Sequence, residues 1–455
     1  MATTSNRTQA IVADLRKEGA TKVKVAVSDI DGILRGKLLH IDKFASAIDG
    51  GFGFCDVVFG WDAHDHCYDN TQVTGWQHGF PDALARLDPA TARRVPWDDN
   101  VPFFLGEFVR ADGSPYPICP RQVLKRVLAR AEKIGYAVMC GHEYEWFNFA
   151  ESPQSWVEKK GVGPATITPG MFGYSLLRMG DQRGFFNALM DDMAAFGVPI
   201  EGLHTETGPG VYEAALAFTT ALEAADRAIL FKTGAKEIGK RFGVMPSFMA
   251  KWNQHLPGCS GHIHQSLSDG KRNLFFDAKS PRSMSKLFES YVAGQISALM
   301  QFAPMFWPTI NSYKRLVDGF WAPVKPTWGV DNRTASFRVI AGSPKSTRLE
   351  TRCPGADMNP YLATAAVIAA GMHGIEKALK LTTPPITGTN QGAEDIARAP
   401  RSLIETTQIF RQSDLARDWF GDLFVDHFAA TREWEHRQWQ DAVTDWELKR
   451  YLEII

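Results

Sequence analysis

No stretch of this 455-residue chain has the roughly 20 consecutive apolar residues that a membrane-spanning helix needs. The longest small and apolar run, Tyr361 to Met372, reads as a buried helix instead. Cysteine is sparse for such a length. Cys55, Cys67, Cys119, Cys140, Cys259 and Cys353 show no C-x-x-C pair and no framework spacing. That argues against a disulfide scaffold and against a cysteine-built structural zinc site. Neither a G-x-x-x-x-G-K-[ST] loop nor a G-x-G-x-x-G turn occurs, so the usual phosphate and dinucleotide cradles are missing. Charge of one sign is missing too. A formal net charge of −1 argues against bulk nucleic-acid binding and against a basic membrane-attaching surface. Any anionic substrate must then be held by local arginines. The opening residues lack the apolar stretch of a signal peptide, and with reduced thiols this leads to the expectation of a soluble, cytoplasmic protein. There is no internal repeat and no low-complexity segment.

Core material is ample, with 13 Trp and 29 Phe. Residues 9 to 18 have the pattern of a short amphipathic helix, and Lys22 to Ser28 alternates as a half-buried strand does. Asp29-Ile-Asp31-Gly32 supplies a turn into a second strand, Ile33 to Leu39. The turn-rich segment Arg110-Ala-Asp-Gly-Ser-Pro-Tyr-Pro is the best linker candidate, so a small α+β domain is expected over 1–112 and a larger one over 113–455. In the larger part, helices are expected at Pro120–Ile134, Gln182–Phe196, Thr219–Phe242, Ser285–Phe302 and Pro360–Lys380. Strands are expected around Glu143, at Met245–Lys251, His262–Leu267, Ser336–Ile340 and Arg348–Arg352. The helices do not follow a regular βαβ rhythm, which favours an antiparallel α+β layout.

The chemistry lies in the strands. Cys140-Gly-His142-Glu143-Tyr-Glu145, His262-Ile-His264-Gln-Ser266 and Arg348-Leu-Glu350-Thr-Arg352 each set ionisable residues two apart, on one strand face. The turn Glu206-Thr-Gly-Pro-Gly-Val-Tyr-Glu213 lies between them in sequence. A face carrying this many charges cannot be an apolar core, because unpaired buried charges cost too much. Glutamates with neutral imidazole suit hard or borderline divalent ions such as Mg²⁺ or Mn²⁺, and together they point to a two-metal cavity. Arg315, Arg333, Arg338, Lys345, Arg348 and Arg352 add cations suited to carboxylate and phosphate. Cys259 and Cys353 sit beside these clusters without a base or an orienting partner, so neither reads as a nucleophile. His204 and His142 read as supporting or structural residues.

The ordered blocks Glu143-x-Glu145, Glu206-x-Gly-Pro-Gly-x-x-Glu213, His262-x-His264-x-Ser266-Leu, Asn311-Ser-Tyr-Lys-Arg315-Leu-Val, Asn332-Arg333-x-Ala-x-x-Arg338 and Glu350-x-Arg352-x-Pro354 resemble the signature blocks of the glutamine synthetase family along nearly the whole chain. The resemblance implies an N-terminal β-grasp domain and a catalytic domain with a curved antiparallel sheet flanked by helices. It also implies a homododecamer of two hexameric rings with active sites between subunits. Glu145, Glu206 and Glu213 would hold one metal, and Glu143, His262 and Glu350 the other. Gly258, Arg315 and Arg352 would bind glutamate. His264, Ser266, Arg333, Arg338, Lys345 and Arg348 would contact ATP, with Arg333, Arg338 and Glu350 at the reacting phosphoryl group. The implied reaction is ATP-dependent activation of the glutamate γ-carboxylate, then attack by a nitrogen nucleophile.

The chain departs from the family where the nucleophile is chosen. Ammonia-using members typically read Pro-Gly-Tyr-Glu-Ala-Pro after Lys-Arg-Leu-Val; here the run is Asp318-Gly-Phe-Trp321-Ala-Pro323, with Trp321 at the Glu position. The family's Phe-Asp-Gly-Ser-Ser stretch corresponds loosely to Phe54-Cys-Asp56-Val-Val58-Phe59-Gly-Trp61. Indole in place of an anion favours an organic amine packing on Trp321, Val58, Phe59 or Trp61, with Asp56 as the polar anchor. A glutamate–amine ligase using a small alkyl- or arylamine is therefore expected. The alternatives are an ammonia-using enzyme in which Asp56 still binds ammonium, and a non-catalytic structural relative. Pro257 stands where many members have Asn, and Lys380-Leu-Thr-Thr-Pro-Pro lacks the tyrosine that some members adenylylate.

Overall fold

The Lys22–Ser28 strand sits between an antiparallel neighbour, Leu34–His40, and a parallel one, Val101–Val109. Asp82–Leu87 and Phe52–Cys55 extend this sheet beyond Val101–Val109, and Arg93–Val95 pairs with the same strand, giving six strands. Apolar alternation in Lys22–Ser28 buries Val23, Val25 and Val27. Helix Ile41–Gly50 crosses that face and sets Phe44 against Phe104, ring centroids 4.9 Å apart. A central parallel pair flanked by hairpins and crossed by one helix is the expected β-grasp arrangement. The computed structural model describes residues 2–389, 393 and 395–455.

The second sheet has nine strands. Its order is Trp328–Val330, Phe337–Ile340, Arg348–Thr351, Gly261–Ser268, Ala137–Phe149, Val211–Leu216 and Ile200–Thr205. Thr219–Thr220 and Met245–Ser247 also pair with Ala137–Phe149. Among the described residues of this sheet, only the Trp328–Val330 and Phe337–Ile340 pair is parallel. The sheet curls into a half-barrel, and its two faces differ because side chains alternate along each strand. His142, Tyr144 and Trp146 point to the helical side, where Tyr144 and Trp146 meet Phe231 and Phe248. The intervening Glu143 and Glu145 point the other way. Helices Pro120–Lys133, Ala221–Lys240, Lys286–Ala298 and Pro360–Glu376 cover the apolar side.

Pro360–Glu376 is buried nearly all round, as its unbroken small and apolar sequence requires. Asn359 caps it through Oδ1, which accepts from Tyr361 N, and its Nδ2 donates to Asp29 O and Ile30 O in the first β-turn. That approach explains Gly32. At φ +80°, a Cβ there would stand 3.0 Å from Asn359 Cα.

Several expected elements differ in extent: the first helix spans Ala2–Lys17 where 9–18 is expected, and the one expected to reach Phe302 ends at Ala298. The expected strand Met245–Lys251 ends at Ser247, and Asn311 takes over the backbone groups of Lys251. The expected helix Thr219–Phe242 yields its first two residues to the sheet. The helix expected to reach Lys380 stops at Glu376, and Ala378 adopts φ +48° just beyond it.

Helix Asp422–Asp441 ties the C-terminal region to the first sheet. Arg432 pairs with Asp31 at 2.6 Å, Trp434 Nε1 donates to Asp62 Oδ2, and His427 Nε2 donates to Phe59 O at 3.0 Å. Burial lowers the His427 pKa to about 4. An unfolded chain takes up this proton near pH 6.5, whereas the folded chain refuses it until about pH 4. Stability is therefore lost as pH falls through that window, by up to about 3 kcal/mol. His427→Gln keeps a donor without titrating. Urea midpoints measured from pH 7 to 4 are expected to fall less steeply in the variant.

Candidate active site

Strand register brings the predicted residues together. Glu143 lies opposite His262, Glu145 opposite Glu213, and Glu213 opposite His204. On the other side of the Gly261–Ser268 strand, His264 lies opposite Glu350 and Glu350 opposite Arg338. Six neighbouring strands and the Glu206 turn thus put carboxylates, imidazoles and guanidinium groups on one concave face.

The contacts are tight. His262 Nδ1 is 2.9 Å from Glu143 Oε1 and 3.4 Å from Glu350 Oε1, and His264 Nε2 is 3.7 Å from Glu143 Oε2. Glu350, fully buried, accepts from Arg338 Nη1 at 2.7 Å and also pairs with Arg352. His204 Nε2 is 3.1 Å from Glu213 Oε1, and its Nδ1 is 3.9 Å from Glu206 Oε2. Burial alone would raise every carboxyl here. Hydrogen bonds from His262 and His264 overcome it and hold Glu143 well below its ordinary value. Arg352, with His264 and His262, pulls Glu350 down to about 2. In Glu213 burial wins over the His204 hydrogen bond, and its pKa rises to about 6. Burial also leaves Glu145 raised, despite the Arg315 charge and the Ser260 amide.

Three sets of ligand atoms lie within 4.8 Å of one another: Glu143, His264 and Glu350; Glu143, Glu213 and His262; and His204, Glu206 and Glu213. The expected triad of Glu143, His262 and Glu350 meets pairwise through His262. Of the expected triad Glu145, Glu206 and Glu213, the last two stand together with His204, while Glu145 lines the same cavity with its Oε2 accepting from Ser260 N at 2.7 Å. These donors fit a hard or borderline divalent ion. Further support comes from His262 Nε2, which is buried without a hydrogen-bond partner among the described residues.

Two cavities meet at Glu143. One, of about 450 Å³, is lined by Glu145, Glu206, Glu213, Gly258, Arg315, Arg333, Arg338, Arg352 and Trp321. The other, of about 310 Å³, holds His264, Ser266, Lys345 and Arg348, with Arg348 Nε donating to His264 Nδ1 at 3.0 Å. Arg315 is anchored from behind, its Nη1 donating to Cys353 O and its Nη2 to Ser260 Oγ. Gly258 lies against it. A Cβ at that position would stand 2.8 Å from Arg315 Cγ and 2.5 Å from Ala250 O.

Trp321 stands 63% exposed at the first cavity, at φ +58°, which is unusual for a bulky residue. Asp56, Val58, Phe59 and Trp61 do not join it. Val58 and Phe59 are packed in the first sheet's core, so within one chain they present no surface to a ligand. Asp56 is buried beside Tyr116, and Trp61 lies under Arg35. Cys259 and Cys353 are fully buried, which pushes both thiols up and leaves them unsuited as nucleophiles.

Two residues of the site carry little signal in the sequence. His204 was read as supporting, yet it touches Glu213 directly. Tyr174 stacks on His204 with centroids 4.3 Å apart and lines the same cavity. Its signal was weak: an aromatic residue directly after Gly173 in an irregular, turn-rich segment.

The fold and site are those of a ligase of glutamine synthetase type. The family described as "Glutamine synthetase, catalytic domain" matches residues 117–451. The chain belongs to the glutamine synthetase family. It is 52% identical to type-1 glutamine synthetase 2 of Dictyostelium discoideum, over 95% of this chain and 84% of that protein. It is 37% identical to a γ-glutamylethanolamide synthetase of Streptomyces coelicolor, covering 95% and 92% of the two chains. With a glutamate–isopropylamine ligase of a Pseudomonas species it shares 34% identity over 97% of each. A solved GmaS–ADP complex superposes with a TM-score of 0.84 at 26% identity, covering 97% and 99%. No helix among the described residues is long and apolar enough to cross a membrane.

Removing one shared ligand should be visible without turnover. Glu213→Gln is expected to weaken Mn²⁺ binding at least about tenfold in calorimetry, since Glu213 belongs to two of the three ligand sets.

Proposed function

We propose that this family ligase joins the γ-carboxylate of L-glutamate to a small organic primary amine, alkyl or aryl, giving a γ-glutamylamide, ADP and phosphate. The observation that carries the choice of nucleophile is Trp321, exposed at the cavity where the family resemblance expects a carboxylate. An indole offers apolar and π surface to an organic substituent and no Coulombic site for ammonium. The relatives that act on isopropylamine and ethanolamine support the reading.

A carboxylate is a poor electrophile at neutral pH. Transfer of the γ-phosphoryl group of ATP to the glutamate γ-carboxylate makes an acyl phosphate. The amine nitrogen then attacks the carbonyl carbon, the C–O bond to phosphate breaks, and the nitrogen loses its proton to solvent or a cavity carboxylate. Gly258, Arg315 and Arg352 orient glutamate. His264, Ser266, Lys345 and Arg348 take the nucleotide in the smaller cavity. Arg333, exposed at the larger cavity, and Arg338 face the transferring phosphoryl group, whose charge needs preorganised cations. Bound at Glu143, Glu145, Glu206, Glu213, His262 and Glu350, Mg²⁺ or Mn²⁺ would supply charge neutralisation for the phosphates.

The division into 1–112 and 113–455, cytoplasmic residence and a homododecamer of two hexameric rings complete the proposal. In that assembly a neighbour's Trp61, half-buried at the end of the Asp56–Trp61 segment, would complete each site. The second reading, an ammonia-using glutamine synthetase, draws support from the 52% identical relative of that name.

Phosphate release with glutamate, ATP and a panel of amines separates the two. The highest kcat/KM is expected with a small alkyl- or arylamine; ammonia as the best substrate would overturn the amine reading. Trp321→Glu is expected to move preference toward ammonia, and an unchanged profile would remove Trp321 as the selector. Glu350→Ala should lower kcat/KM by about 10²-fold or more, with the assembly's mass unchanged by light scattering.

A further inference from the structure

The segment that carries Trp321 is anchored from outside the cavity. Lys251 is 5% exposed, and its Nζ has no hydrogen-bond partner among the described residues. A buried ammonium without a partner is costly and needs compensation. Here the compensation is aromatic, since Nζ lies 4.6 Å from the centroid of the Phe320 ring, the residue next to Trp321. The backbone of Lys251 is also fixed. Its N–H donates to Asn311 Oδ1 at 2.8 Å, and its carbonyl accepts from Asn311 Nδ2 at 2.7 Å. Asn311 immediately precedes the short helix Ser312–Arg315, which presents Arg315 to the cavity. The other end of the segment is tied by Arg398, whose Nη2 donates to Leu316 O at 2.7 Å and whose Nε is 3.7 Å from Asp318 Oδ2. Gly319 at φ +86°, between these anchors, and Trp321 at φ +58°, just after them, make the turn that brings the indole to the cavity.

We infer that Lys251 is a positioning residue: through the Phe320 ring it seats the 318–323 flap, so that Trp321 stands at the cavity and governs entry of the nitrogen nucleophile. The inference rests on the reading of Trp321 as the selector. Lys251 itself is absent from the cavity lining, whereas Phe320 lines it beside Trp321, so Lys251 acts through Phe320 and not by touching substrate.

A double-mutant cycle on the full-length, assembled enzyme tests this, using Lys251→Met, Phe320→Leu and the pair, with Lys251→Arg and Phe320→Tyr as conservative controls. Lys251→Met is close in shape and removes a buried charge, so folding is expected to persist. Each single variant should raise KM for the preferred nucleophile about fivefold to tenfold, leaving KM for ATP and glutamate unchanged. The pair should be no worse than either single variant, and the controls should keep wild-type values. Hydrogen–deuterium exchange in residues 316–323 should quicken in Lys251→Met. Multiplicative effects in the pair, or an unchanged nucleophile KM, would overturn the inference. So would a rise in glutamate KM instead, which would make Lys251 an anion grip. The cycle uses whichever nucleophile the wild type prefers. Preference for ammonia would therefore sink the amine reading, while the coupling between Lys251 and Phe320 still decides the latch.

Discussion

A carboxylate shut away from water stays ionised only where cations surround it, and Glu350 is the point at which this protein meets that condition. Arg338 and Arg352 both pair with it, and His262 lies within 3.4 Å. In the proposed function each of these partners belongs to a different group of residues: the phosphoryl-facing cations, the glutamate-binding arginines and the metal ligands. One buried anion therefore fixes the relative positions of all three. The same requirement explains the sheet's asymmetry. Its charged face must stay wet or carry ions, so all the apolar burial is concentrated on the opposite face, under four helices.

In the proposed function, nucleophile choice is separated from this rigid arrangement. The activating residues sit on paired strands, where register leaves them little freedom. Trp321 sits on a loop in a left-handed conformation, held by Arg398 at its base and by the Lys251–Phe320 contact near its tip. A family that keeps its carboxylate-activating chemistry constant and varies its nitrogen source gains from such a division. The loop can change without disturbing the strands.

Much of this was legible in the sequence, for identifiable reasons. Glu143 with Glu145, and His262 with His264, could be placed on common faces because strand side chains alternate with period two. The apolar helix after Pro360 announced itself by composition. Other features were not legible. Lys251 reads as the end of a strand, and only the Asn311 side chain, sixty residues on, takes its backbone out of the sheet. His204 and Tyr174 carry no spacing signal, and they matter because a hairpin and an irregular segment bring them onto Glu213. The grouping of metal ligands comes from the family resemblance; that His204 stands within ligand distance of Glu206 and Glu213 is visible only in the structure.

The sequence by itself determined which side chains share a strand face, that this face had to be a charged cavity, and to which family the ordered blocks belong. Those facts follow from local geometry and from the cost of burying charge, neither of which needs a fold. Only the tertiary structure decided which faces meet. Pairing Glu143 with His262, or Glu350 with Arg338, depends on strand register set across more than a hundred residues in one case and twelve in the other. It also decided that Val58 and Phe59 face a core and that Trp321 stands clear of it, because burial is a property of packed surfaces and not of residue type.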